Sequence, residues 1–232
     1  MDKRFDIENH PLYKPENLLL LYNLANRASK TADESFSAKN QVFVGMGQSP
    51  AYLLEMIKRI DRAREREGRS YMHVAFSGTS YMDGKLDPYL YRKYGELGGY
   101  YQQYLTKVGL SEADLNKDDT EFIILEVCHQ GNGLRSFLSF FDNYKNSPAV
   151  IYLQSPAHFG PVCISETNER ILINAQENNL TVALANADPF KDRLVPEFQF
   201  HRWKTVDPLA YKYEENAPKI LKRIEQFVRD KN

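Results

Sequence analysis

The sequence predicts an α/β fold: a single domain built on a mostly parallel, twisted sheet with helices on both faces, Rossmann-like in layout. Three observations carry that prediction. Short apolar runs of strand length recur at residues 41–44, 71–76, 121–127, 149–153 and 181–185. Longer stretches between them repeat their apolar residues at helical spacing. The runs at 41–44, 71–76 and 121–127 each lead into a glycine-containing loop, the form a strand takes where it hands over to a helix. Strands that alternate with helices join by right-handed crossovers, which keeps neighbouring strands parallel.

Taken in order, Pro15 and Glu16 open a helical pattern through about Ser29, with Leu18, Leu21, Tyr22 and Ala25 at helical spacing. The first strand, 41–44, runs into Gly45, Met46, Gly47, Gln48 and Ser49, and Pro50 suits the first turn of the next helix. That helix gathers Leu53, Leu54, Ile57 and Ile60 on one face. The charged run 59–69 reads as a solvated face. A second strand, 71–76, is followed by a polar stretch over 81–88 and a tyrosine-rich helix over 89–108. Ser111 with Asp114 reads as a short capped turn. Residues 121–127 form the strongest strand, apolar on both faces as a central parallel strand is. A helix carrying Leu134, Phe137, Leu138 and Phe141 follows, then a strand at 149–153, a helix over 166–177 and a strand at 181–185. Pro208 and Pro218 bracket or interrupt the C-terminal helical region.

No repeat or long Pro/Gly/Ser linker divides the 232 residues. The whole of 1–232 therefore reads as one domain, with an N-terminal helical part over 1–40, a core over 41–207 and a C-terminal helical region over 208–232. A formal net charge of −1 makes neither nucleic acid nor an acidic membrane surface an expected partner. The apolar run 18–21 falls far short of the roughly 20 residues a membrane span requires. Cys128 and Cys163 are too few for a disulfide framework and lack metal-site spacing, so no metal ligands are assigned. The charged start, residues 1–6, leads into no apolar stretch, and a cytoplasmic protein is the expectation. Signal-independent export fits the same residues.

Function is best sought where strands end. Glu126 comes to the end of the strongest strand, followed by His129, Gln130, Gly131, Asn132, Gly133, Arg135 and Ser136. A glycine-bearing turn of this kind lets backbone N–H groups converge on an anion, with Arg135 or Ser136 as further donors. A turn that merely joins strand to helix has the same residues. Gly45 to Ser49 repeats the arrangement on the first strand, where Ser49 also suits a helix cap. Two such turns on one sheet edge fit a ligand with two phosphate groups. Ser77, Thr79, Asp83 and Lys85 lie in a segment that reads either as a loop closing over substrate or as a solvated connection. His129 reads as a phosphate contact, an acid/base, or a structural loop histidine. Cys128 beside it points to the other side of an extended strand and reads as a small buried hydrophobe.

The order of these pieces resembles the type I phosphoribosyltransferases. The likeness lies in an apolar strand with a pyrophosphate loop (Gly45, Met46, Gly47, Gln48, Ser49), a second strand with a mobile segment, and an apolar strand with acids and a phosphate loop. It spans roughly residues 41–207. The resemblance implies glycosyl transfer from phosphoribosyl pyrophosphate, with Glu126 on the ribose hydroxyls, His129 beside it, and the loop through Gly133 on the 5′-phosphate. It also implies Mg²⁺ bridging the pyrophosphate, Trp203 stacking on a base, and a homodimer. The chain departs from the family pattern at Leu125, where the first of two adjacent acids is expected, and at His129 and Gln130, where Thr is usual.

Two other readings stand beside this one. Gly45 to Ser49 and the segment from Phe76 to Thr79 resemble the loops of the sugar isomerase (SIS) phosphosugar domains. A non-catalytic interaction domain on the same scaffold would present a tyrosine face from Tyr89, Tyr91, Tyr94, Tyr100, Tyr101 and Tyr104, although half of this set reads equally well as core. The expected ligand under the first two readings is a phosphorylated small molecule.

Overall fold

The computed structural model describes residues 7–48, 50–76, 81–82, 85–86, 88–128, 132–154, 170–174, 192–195 and 212–232. Its helices and strands are α1 (Pro15–Ser35), β1 (Asn40–Met46), α2 (Ala51–Ala63), β2 (Arg69–Val74), β3 (Tyr81–Met82), β4 (Lys85–Leu86), α3 (Pro88–Lys107), α4 (Glu112–Leu115), β5 (Thr120–Cys128), α5 (Asn132–Leu138), β6 (Ala149–Gln154), β7 (Arg170–Asn174) and α6 (Ala217–Lys231). Five strands form one sheet in the order β2-β1-β5-β6-β7, and every neighbouring pair is parallel. β3 and β4 pair antiparallel as a small hairpin inside the stretch that reads as merely polar in the sequence.

Helices α1, α2 and α6 pack on one another along one face of the sheet. α1 runs six residues beyond the expected end because Ala32 continues its buried face past Ala28 and Ser29. It starts with Pro15 at its first position, where the missing N–H removes no bond. α2 buries both Leu53 and Ile57 completely. Each such side chain contributes roughly 1.5–3 kcal/mol relative to exposure. α3 and α5 meet around an aromatic cluster in which Phe76 touches Tyr101 and Phe137, with ring centroids 5.4 and 5.2 Å apart. Right-handed crossovers from β2 over β1 to β5, and from β5 to β6, put α3 and α5 on the opposite face. The short α4 opens with the expected reciprocal cap between Ser111 and Asp114.

The structure corrects two expectations and divides a third between its alternatives. Residues 170–174 are a strand, where the sequence pattern suggests a helix over 166–177; Val150 to Gln154 of β6 pair in register with Arg170 to Asn174. Ile171-Leu172-Ile173 is a continuous apolar run, and such runs fit a buried strand as well as a buried helix. The tyrosine face of α3 is in part core. Tyr101 and Tyr104 are buried, and only Tyr100 of the set is exposed among those whose side chains are described. The charged run 59–69 is not a solvated face throughout, because the side chains of Asp61 and Arg69 are 2% and 4% exposed and paired at 2.8 Å. The strand expected at 181–185 lies outside the described residues.

Candidate functional site

From β1 the chain crosses to β2 on one side, and from β5 to β6 on the other. Where the winding reverses, the loops above adjacent strands diverge and leave a crevice over their carboxyl ends. Here the reversal, and the crevice that such a topology provides, falls between β1 and β5. These are the two strands whose ends carry Gly45 to Ser49 and Glu126 to Gly133. The topology thus brings together the ends of the two segments that the sequence singles out.

On the β1 side much of the loop is committed to structure. Gly45 lets α2 approach the sheet, since a Cβ there would lie 3.0 Å from Leu54 Cδ2. Gly47 has φ +73°, and a Cβ would meet the Phe76 carbonyl oxygen at 2.7 Å. Its N–H donates to the Val74 carbonyl at 2.8 Å, which ties the end of β1 to the end of β2. Met46 is buried in the core. The Gln48 side-chain carbonyl accepts from the N–H groups of Leu194 and Val195 at 2.9 and 3.1 Å. Its amide nitrogen Nε2 is buried and has no hydrogen-bond partner. Ser49 lies outside the described residues.

Gln48 is one of several fasteners on the segment 192–195. Tyr52 donates its hydroxyl to the Asp192 carbonyl at 2.5 Å. His10 Nδ1 accepts from the Leu12 N–H, so Nε2 carries the hydrogen and donates to Asp192 Oδ2 at 2.9 Å. Asp192 Oδ1 is buried without a partner. Nothing in the sequence signals this latch, because His10 and Asp192 stand 182 residues apart.

At the end of β2, α3 is pinned by two tyrosines. The Ala75 N–H donates to the Tyr104 hydroxyl at 3.0 Å, and the Tyr101 hydroxyl donates to the Ala75 carbonyl at 2.9 Å. Both backbone groups of Ala75 are therefore satisfied locally.

On the β5 side the register fixes the directions. Leu125 lies beside Gly45 on β1 and Ile151 on β6. Gly45 faces α2, so Leu125 faces that layer too, and it is fully buried there. Glu126 faces the other way, beside Tyr152 on β6. Its carboxyl is partly covered, and one oxygen, Oε2, is completely buried with no hydrogen-bond partner. Burial pushes the Glu126 carboxyl well above the usual carboxylate range.

Asn132 and Gly133 open α5, and a Cβ on Gly133 would meet nothing within 4 Å. The backbones of Arg135 and Ser136 lie further along that helix, while their side chains and that of Asn132 lie outside what is described. Lys85 is placed on β4, again by its backbone alone. His129, Gln130, Gly131, Ser77, Thr79, Asp83 and Trp203 lie outside the described residues.

Among the described residues the donor set does not fit the magnesium ion that the family resemblance implies. Mg²⁺ takes octahedral oxygen ligands and is held through one or two ionised carboxylates plus substrate phosphates. Among the described residues the crevice offers Glu126 alone, with its carboxyl held towards the neutral form. No group of three or more His, Cys, Asp or Glu among the described residues is placed to hold a metal. Nor is any helix among them long and apolar enough to cross a membrane. No family model matches the chain, and a search of curated proteins finds no match to it.

Proposed function

We propose that this domain binds a phosphorylated ribose or a nucleotide in the crevice over β1 and β5. Glu126 meets sugar hydroxyls, and the connection from β5 to α5 takes the phosphate. What supports this reading is the reversal of winding between β1 and β5, together with an incompletely bonded Glu126 carboxyl near the end of β5. A buried polar atom without a partner costs about 1–3 kcal/mol, a cost that a ligand hydroxyl would relieve.

The residue types of the β5–α5 connection support a phosphate beside that sugar: His129, Gln130 and Asn132 as donors, with Gly131 and Gly133 allowing close backbone approach. The β1 loop contributes less than its glycines suggest, since the Gly47 N–H and the Gln48 carbonyl are already engaged. The proposal is of binding. Glycosyl transfer in the manner of the phosphoribosyltransferases would call for a second acid, and Leu125 occupies its position with its side chain in the α2-side core.

Thermal unfolding of the full chain with ribose 5-phosphate, a panel of nucleoside monophosphates and a hexose 6-phosphate tests the reading. A ligand at 100 times its Kd adds about 2.7 kcal/mol to stability. Stabilisation by the ribose phosphates or nucleotides is expected. Stabilisation by the hexose phosphate alone would move the assignment to a SIS-type phosphosugar domain, and no response to any of them would end it.

A further inference from the structure

We propose that Glu126 engages its ligand as a neutral carboxylic acid, so that the crevice holds a vicinal diol without a divalent cation. The inference rests on the reading of this crevice as a sugar site and goes further, to the protonation state and metal requirement of that site.

The geometry carries it. Oε2 of Glu126 is buried and accepts no hydrogen bond. An ionised carboxylate in that position would need donors or a cation to offset the loss of water. None of the described side chains that share its face on the neighbouring strands donates to that oxygen, and none is a cation. Val44 on β1 and Ile124 on β5 are apolar and fully buried, and Met46 beyond them is apolar and buried. On β6 the lateral neighbour is Tyr152, the one ionisable side chain of this set, a phenol with no positive charge to give. Leu134, Phe137 and Leu138 of α5 are apolar and buried. From α3, Tyr101 and Tyr104 direct their hydroxyls to Ala75. A carboxylic acid, in contrast to a carboxylate, has one O–H donor and one carbonyl acceptor. It can donate to one hydroxyl of a diol while accepting from its neighbour, and it does not attract a metal ion. The upward displacement of the Glu126 carboxyl by burial agrees with this. Apolar sites that keep a carboxylic acid neutral so that it can donate a hydrogen bond are an established device.

Two measurements on the full chain test the proposal. The first needs no ligand: an infrared difference spectrum of wild type minus Glu126→Gln at neutral pH. A carbonyl band of a protonated acid is expected, and a carboxylate band in its place would overturn the inference while leaving the crevice reading intact. The second is calorimetric titration with ribose 5-phosphate and with a nucleoside monophosphate, in EDTA and in excess Mg²⁺. Affinity is expected to agree within about twofold between the two conditions. Glu126→Gln, which keeps one donor and one acceptor without charge, should stay within about threefold of wild type. Glu126→Leu should lose about tenfold, the size of one or two lost hydrogen bonds. Binding that requires Mg²⁺, or that falls as far in Glu126→Gln as in Glu126→Leu, would overturn it. If Glu126→Leu fails to fold, the glutamine variant and the infrared band decide the matter. Absence of binding by wild type in both conditions would remove the crevice reading and this inference together.

Discussion

Two regions of this molecule bury carboxyl groups and treat them in opposite ways. On the α2 side of the sheet, Glu55 and Asp61 have donors for all four of their oxygens. Glu55 accepts from His73 at 3.1 Å, is approached by Lys58 at 3.6 Å, and receives a close hydrogen bond from Arg59. Asp61 accepts from Arg69 at 2.8 Å and Tyr71 at 2.6 Å through one oxygen, and from Ser29 at 3.4 Å through the other. Across the sheet, Glu126 has one oxygen with no donor at all.

The electrostatic outcomes diverge accordingly. Burial alone would raise Glu55, but the hydrogen bonds from His73 and Arg59 and the charges of Arg59 and Lys58 outweigh it and bring the carboxyl down to about 2. Glu126 has burial without compensation and goes up. Paired carboxylates have their desolvation offset within the fold, whereas an unpaired one is kept at a cost.

The largest expected effect lies in the paired region. Asp61→Ala removes the partner of the buried Arg69 and the acceptor of the Tyr71 hydroxyl. Burial and then the hydrogen bond to Asp61 hold that phenol protonated. Leaving Arg69 with the more exposed Asp33 as its remaining carboxylate partner should cost about 3–5 kcal/mol, read as a fall in the denaturant midpoint with an unchanged slope.

Glu55→Gln should come next, at about 2–3 kcal/mol near neutral pH, the order of magnitude that a displacement from 4.5 to about 2 corresponds to. The sign follows from proton binding. Between pH 4.5 and about 2 the unfolded chain holds the Glu55 proton and the folded chain does not, so wild-type stability is present above 4.5 and lost as pH falls through that window. The gap between wild type and Glu55→Gln should therefore narrow on acidification. A gap that stayed constant to pH 2 would show that the pairing does not set this titration.

A third effect tests whether the crevice is built from backbone where the α2 flank is built from charge. Gly47→Ala forces φ +73° on a residue with a Cβ and drives that Cβ towards the Phe76 carbonyl. The expected loss is about 2 kcal/mol in thermal unfolding. Loosening the link between the ends of β1 and β2 should also weaken any ligand bound beside it.

Much of this architecture is legible in the sequence, and what is not has a physical reason. Strands β1, β2, β5 and β6 announce themselves as apolar runs followed by turns, and α2 by its single apolar face. The period of two in a strand already tells that Leu125 and Glu126 face opposite layers; what it cannot tell is which helices form each layer. The strand order is not written locally, so the reversal between β1 and β5 emerges only from the folded topology. The Asp61–Arg69–Ser29 network reads as surface charge because its members stand 8 to 40 residues apart and meet only through packing. β7 was open to misreading since Ile171 to Ile173 carries no alternation to separate strand from helix. Gln48 has the look of a ligand contact in a glycine loop, yet its carbonyl turns to Leu194 and Val195, partners that no nearby residue reveals.

The smallest expected effect has the opposite sign. Glu126→Leu should raise stability by about 1 kcal/mol, because it removes a buried oxygen without a donor and substitutes an apolar side chain. Its pH dependence separates it from ordinary repacking. With the folded carboxyl displaced upward, the native chain holds a proton that the unfolded chain releases once pH passes the usual Glu value. Wild-type stability at this position is therefore greatest at low pH and declines as pH rises towards the folded titration point. Glu126→Leu lacks that decline, so its advantage should grow with pH, as measured by denaturant unfolding at a series of pH values. A variant that gains stability while losing affinity for ribose phosphates would place Glu126 among residues retained for binding against the interest of the fold. A stability loss that matched Glu55→Gln would instead make the two carboxyls alike and dissolve the contrast between the regions.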